Sequence, residues 1–334
     1  MVECGGWDRR DPTGGSSTAS PRVTDVRISI VVPHQGDDVA FEDSLVSVLE
    51  NRPADADICV VHDGSYSDPF DLGDEVQFLV ADSARLPDLI AAAAESVTAR
   101  VVHILGNGVK ATAGWTETPL RLLADDPVAI VAPVARDAHS GKITGAGWTD
   151  SRRRVLVPVG AGADKLSRRQ MAAARGAYLG ASFWRRSELR AAVRAASWQD
   201  SVACEFAWSR LLTDAGWRCA VAEDSVVLAD ETALLAPAGF RRGQTLRSAV
   251  SELSGSGRFG GAAAAVALSL LTPNHLVRPG CVGELMGQCL AVISPAKGLS
   301  PVRADQLHGP GELTQTLRMP LRSATEPTAR KRAA

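Results

Sequence analysis

"ISIVVPHQGDDVAFEDSLVSVLENRPADADICVVHDGSYSD", Ile28 to Asp68, decides the fold. An apolar run, with Val26 at its start, is stopped at Pro33. A helical pattern follows in which Phe41, Leu45, Val48 and Leu49 share one face, with Pro53 just beyond its end. "DICVVHDGS" is a second apolar run, delivered into a turn by Asp63, Gly64 and Ser65. Runs that are apolar throughout, joined by an amphipathic helix, are the pattern of parallel strands covered on both faces.

Outward from this unit the rhythm persists. "VQFLV", "ARVVHIL" and "PVAIVAPVA" read as further strands, "LPDLIAAAAESV" and "GWTETPLRLLADD" as helices, the latter opened by Trp115. After Arg136 the pattern changes. "KITGAGWTD" and "RRVLVPVG" suggest a hairpin or edge strands, and "GAYLGASFWRR" a strand entering the helix "SELRAAVRAA". "DSVACEFAWSRLLTDAG" is a strong helix, with Asp200 as N-cap, Gly216 just past its end and Val202, Phe206 and Leu212 on its inner face. "WRCAVAEDSVVLAD" adds one or two strands, and the chain is expected to be mostly helical from Ala236 on. The expected organisation is a leader over 1–25, an α/β domain over 26–235, a helical region over 236–320 and a basic tail over 321–334.

Composition narrows the function. The 334 residues are 45% hydrophobic with a formal net charge of −2, enough for a large core and no support for bulk binding of nucleic acid, which needs a basic face. The arginine runs at 152–154, 168–169, 185–186 and 241–242 read as solvated faces. Six cysteines, at 4, 59, 204, 219, 281 and 289, form no C-x-x-C pair, which fits free thiols in a reducing, cytoplasmic setting. The first residues carry acids and no apolar segment, unlike a signal peptide. "GGAAAAVALSLLT" falls short of the roughly 20 apolar residues that span a bilayer, so it is expected to be a packed helix. A peripheral membrane contact and the oligomeric state are left open by composition.

Asp63 ends a strand at the sheet edge where open α/β folds place ligands; it suits a base N–H or a ribose hydroxyl, or the backbone of its own Asp-Gly turn. The order of motifs then resembles the family 2 glycosyltransferases of the GT-A fold (nucleotide-diphospho-sugar transferase-like), over about Val26 to Asp230. Those begin with a strand ending in Pro, a helix, and a strand ending in D-D-G-S, as "ISIVVPH" to "VVHDGS" does. "HILGNGVKATAGW" is similar to their L-D-x-D segment, and "ACEFAWSRLLTDAGWRCAVAEDSVV" to their E-D-x-D-L…G-W region. The resemblance implies a mostly parallel sheet with helices on both faces plus a helical C-terminal extension. It also implies a nucleotide-sugar donor and a glycan or other hydroxyl acceptor.

Carried over residue by residue, the resemblance puts the nucleotide at Pro33, Asp63, Gly64 and Ser65, and the catalytic base at Glu205, beside Cys204. His62 stands where the first aspartate of the pair is expected and reads as a packed strand-end residue. The metal-binding aspartates of D-x-D fall on Gly106 and Gly108, which have no side-chain oxygen, so no Mg²⁺ or Mn²⁺ cofactor site of the family type is expected. Asp230 alone makes a poor cage. The diphosphate is then expected at Gly106, Asn107, Gly108 and Lys110, with Arg152 to Arg154 and Arg185-Arg186 as other cations. Glu205 is equally suited to a first-turn helix position, where the dipole favours an acid. The readings are thus a metal-independent inverting glycosyltransferase, a glycosyltransferase-like binding or assembly module without activity, and a generic nucleotide-binding α/β protein.

Overall fold

The computed structural model describes residues 27–125, 127–150, 155–234, 236–254, 262–263, 266–267 and 280–310. The leader, the tail and most of "GGAAAAVALSLLT" lie outside them. Strands β1 (Ile28–Pro33) and β2 (Ala56–His62) flank helix α1 (Asp38–Glu50) in sequence and pair in parallel, Ile30 opposite Ile58. Every residue of β1 is buried, Ser29 included, as its mostly apolar run requires. The Asp37 side chain caps α1 by accepting the Ala40 N–H at 3.1 Å, and Phe41, Leu45 and Val48 go into the core.

β3 (Gln77–Val80) is the outer strand and is only partly buried. Helix α2 (Leu86–Ser96) leads to β4 (Val101–Leu105), which pairs in parallel with β1. Then come β5 (Lys110–Ala111), α3 (Glu117–Ala124) and β6 (Val128–Arg136). Trp115 does not open α3, as the sequence suggested: it lies in the turn before it, fully buried. β7 (Ile143–Gly145) pairs with β6, and β8 (Trp148–Thr149) with β9 (Val157–Pro158) as a separate hairpin. After the short α4 (Arg168–Ala172) come β10 (Ala181–Arg185), α5 (Arg186–Ala195), α6 (Ser201–Asp214) and β11 (Arg218–Leu228).

The sheet runs β3-β2-β1-β4-β10-β6-β11-β5, with β7 on β6. β10 is antiparallel to both neighbours, Ala181 lying opposite Leu105 and Phe183 opposite His103. The Phe183 ring stacks on the buried His103 ring at 3.8 Å, and His103 Nδ1 bonds the Ser182 carbonyl at 3.0 Å. Burial pushes the pKa of His103 down to about 3, so this imidazole is a neutral core group. Because β10 runs backwards, its beginning lies beside the carboxyl end of β4, Ala181 opposite Leu105. That reversal places Leu179 and Gly180 at the ligand edge of the sheet.

Beyond β11 come α7 (Glu231–Leu234), α8 (Phe240–Ser254) and α9 (Cys281–Leu290). The described chain then departs from the helical expectation. Residues 295–310 are irregular apart from one 3₁₀ turn, Ala304–Gln306, and pack back on the α/β domain. Trp198 Nε1 donates to the Ser300 carbonyl, Trp217 Nε1 to the His308 carbonyl, both at 2.8 Å, and the Arg303 N–H to Ala195. Asp200 caps α6 through the Ala203 N–H, and Gly216 has φ +95, the left-handed position expected after a helix end. The cysteines among the described residues are free thiols.

Candidate active site

A cleft of about 150 Å³ lies at the carboxyl edge of the sheet. Gln35 follows β1, Leu86 starts α2, Gly106 follows β4, and Leu179 and Gly180 precede β10. Ser201, Val202 and Glu205 come from the first turns of α6; Thr232 to Leu234 come from α7, and Arg242 from α8. Glu205 is the acid of this cleft. It stands one turn into α6, and its Oε2 accepts the Leu179 N–H at 3.0 Å. Surrounding protein outweighs that bond and the nearby Arg242 charge, and burial pushes its pKa up to about 8. The carboxyl therefore sits near the range in which a group both takes and returns a proton at physiological pH.

The turn after β4 is knitted into α1 by the helix's two buried serines. The Ser44 hydroxyl accepts the Gly108 N–H at 3.0 Å, and the Ser47 hydroxyl accepts the Ala111 N–H at 2.9 Å. The Gly106 N–H is held by the Gly180 carbonyl at 2.8 Å. A Cβ on Gly106 would lie 3.0 Å from Gly180 Cα, so the two backbones cross where a side chain has little room. Gly108 has φ +78, which favours glycine. Of the turn residues named from the sequence, only Gly106 lines the cleft. Lys110 is exposed and paired with Asp43 of α1 at 2.8 Å. The Asn107 amide is buried, and neither its oxygen nor its nitrogen has a partner among the described residues.

At the end of β2, Asp63 is exposed and forms a local turn. Its Oδ1 accepts the Ser65 N–H at 3.1 Å and the Ser65 hydroxyl, and these bonds hold its pKa below the usual carboxylate range. Gly64 has φ +90 and donates its N–H to His62 Nδ1 at 3.2 Å. His62 is packed edge-on against Tyr66 and Phe78, and burial lowers its pKa, with His34 adding to the effect. Pro33 ends β1 and leads to the buried His34, whose Nε2 bonds Asp38 at 2.7 Å and whose ring packs on Phe41 and Tyr66. Pro33, Asp63, Gly64 and Ser65 thus share one sheet edge with Glu205 but stand outside its cleft.

Asp230 turns to the Thr232 hydroxyl at 2.7 Å and the Ala233 N–H at 2.8 Å. Arg185 and Arg186 donate to carbonyls of the core, those of Val128 and Val97. Arg152 to Arg154 lie outside the described residues. Among the described residues no group of three or more His, Cys, Asp or Glu side chains is arranged to hold a metal ion. Gly106 and Gly108 offer no side-chain donor, so the residues present do not fit a divalent cation held in the manner of the D-x-D motif.

Sequence reasoning missed Arg242, Leu179 and Gly180. The glycine before β10 carried the signal of a close backbone approach. Arg242 carried none, because what makes it a buried cleft residue is Glu284 of α9, bonded at 2.7 Å.

The strand order, the antiparallel β10 and the cleft at the carboxyl edge give a fold of the GT-A type. The chain is similar in structure to a mannosyltransferase, PcManGT from Pyrobaculum calidifontis, solved with GDP-Man and Mn2+. The TM-score is 0.51 at 13% identity, covering 80% of this chain and 87% of that one. It is similar also to GalNAc-T7 solved with UDP, GalNAc and Mn2+, at 12% identity over 61% of this chain and 43% of that one, with a TM-score of 0.45. A third likeness is to S. aureus TarS 1-349, at 10% identity over 78% and 80% of the two chains, with a TM-score of 0.44. No family model and no curated protein sequence matches the chain. Among the described residues no helix is long and apolar enough to cross a membrane.

Proposed function

We propose that this protein transfers a sugar from a nucleotide-sugar donor to a hydroxyl acceptor, with Glu205 as the general base and inversion at the anomeric carbon. The observation that carries the reading is the Glu205 carboxyl itself. It is partly buried and lines a cleft on the ligand edge of a GT-A-type sheet, oriented by one backbone N–H. In the proposed step Glu205 takes the proton from the acceptor hydroxyl as its oxygen bonds the anomeric carbon. The bond from that carbon to the phosphate oxygen breaks, and its electron pair leaves with the nucleoside diphosphate.

The cleft, at about 150 Å³, is below the roughly 300–1,000 Å³ of full ligand pockets, so it suits the reacting ends and not a whole donor. The base and ribose then lie along the open edge at Pro33, Asp63, Gly64 and Ser65, where Asp63 Oδ2 is uncommitted. Lys110 and the Gly106 and Gly108 amides are engaged within the fold. The Asn107 amide is buried outside the cleft, so among the described residues the turn offers the diphosphate no free side-chain donor. The lack of side-chain donors at Gly106 and Gly108 supports a reaction in which no D-x-D metal takes part.

Titration calorimetry with a panel of nucleoside diphosphates, with and without Mn²⁺, tests this. Binding of one of them unaffected by Mn²⁺ is the expected result; binding only with Mn²⁺ would overturn the metal-independent reading. Absence of binding by all of them would favour a module without donor chemistry. With a donor in hand, Glu205→Gln is expected to lower turnover by about 10²–10⁴-fold while nucleotide affinity holds.

A further inference from the structure

Helices α8 and α9 touch backbone to backbone. A Cβ on Gly243 would stand 1.9 Å from the Glu284 carbonyl oxygen, and one on Gly287 1.9 Å from that of Phe240. This approach, which glycines alone permit, sets Arg242 against Glu284 in an ion pair whose side chains are 8% and 4% exposed. Arg242 also donates to the Leu156 carbonyl at 3.2 Å and borders the cleft of Glu205. Glu284 does not line that cleft, and its Oε1 is buried with no partner among the described residues. We propose that Arg242 is a positioning residue whose charge is shared between Glu205 in the cleft and Glu284 on α9, which makes the α8–α9 pair part of the proton-handling site.

The other charged groups near Glu205 are committed elsewhere. Asp200, on its own helix, caps the Ala203 N–H; Asp230, before α7, holds Thr232 and Ala233. Glu231 of α7 is exposed, and Asp88 of α2 pairs with Arg85 at 2.8 Å. From β10's side the Leu179 N–H reaches the carboxyl. Arg242 is the charged side chain that acts on it, favouring the ionised form against burial. Glu284 offsets part of that field. Removing the two charges must therefore move Glu205 in opposite directions.

The inference rests on Glu205 as the base, but its test reads the carboxyl directly and needs no substrate. The measurement is an NMR pH titration of ¹³C-labelled glutamate side chains in the full chain, with Glu205 assigned by its loss in Glu205→Gln. Arg242→Gln, which removes the charge bordering the cleft, is expected to raise the Glu205 pKa by about one unit and Glu284→Gln, which removes a charge outside it, to lower it by about half as much, with Arg242→Lys close to the parent. Arg242→Gln strands a buried charge and is the variant most exposed to misfolding. The double variant Arg242→Gln/Glu284→Gln strands none, and it too is expected to raise the pKa. Shifts of the same sign in the two single variants, or an unmoved Glu205 in the double variant, would overturn the proposal. Failure of nucleotide binding would leave this titration intact, so the two readings fail separately.

Discussion

At the scale of the residue, Glu205 carries opposing demands. Burial favours its neutral form, while the Leu179 N–H and the Arg242 charge favour the ion, and burial wins. The folded-state pKa of about 8 lies above the ordinary 4.5. Between those values the native state keeps a proton that the unfolded chain gives up. The stability tied to this group is therefore fully present below about 4.5 and lost as pH rises through about 8. Glu205→Gln keeps an acceptor for the Leu179 N–H and cannot ionise. Denaturant titrations should find the variant near the parent at pH 4.5 and more stable by a few kcal/mol, to order of magnitude, at pH 8.5. An advantage that does not grow with pH would mean the carboxyl is ionised in the native state at neutral pH. For the proposed transfer, the same protonation predicts a rate that rises with pH up to about 8, the proposed base being the ionised form. The sequence singled out Glu205 by its place in an ordered series of motifs, and the structure puts it in a cleft. Its titration was not legible, because the groups that set it come from β10's approach and from α8, far along the chain.

Among the elements, the alternation of strand and helix was legible because burial on both faces leaves a simple mark, a short run that is mostly apolar instead of alternating. β1, β2, β4 and β6 carry that mark. The direction of β10 was not legible: "ASFWR" is as apolar as a parallel strand, and only its neighbours show that it runs backwards. That reversal brings Gly180 against Gly106, which gives the glycine turn a structural reason. Gly106→Asp, which would place a carboxylate in the turn, must push aside backbone at 3.0 Å, not the end of a flexible side chain. It is expected to cost about 1–3 kcal/mol, read as a lower denaturant midpoint, and to gain no Mn²⁺ affinity by calorimetry. A folded variant that binds Mn²⁺ would mean that the turn opens more easily than its bonds to α1 and β10 imply.

Across the whole molecule, the site depends on segments distant in sequence being held to one sheet edge. The last described residues take part from the far side. Leu299, Val302 and Leu307 pack against the core, while Trp198 and Trp217 each hold a backbone carbonyl of the strap. Sequence reading expected helix here, and what holds the segment instead is absent from its own pattern, because its partners are indoles of the domain it crosses. Trp198 adjoins α6, whose first turns carry Glu205, so the strap's hold and the site's frame share a neighbour. Trp198→Phe retains most of the buried ring and deletes the N–H given to Ser300. The loss is expected to be about 1 kcal/mol, a several-fold faster hydrogen exchange at the Arg303 amide, which bonds Ala195 in the same strap. Exchange in the centre of α6 should stay at its parent rate if the strap opens locally. Equal acceleration at both places would instead show that 295–310 and the α/β domain unfold as one unit, and that the base of the cleft is only as stable as the strap across its back.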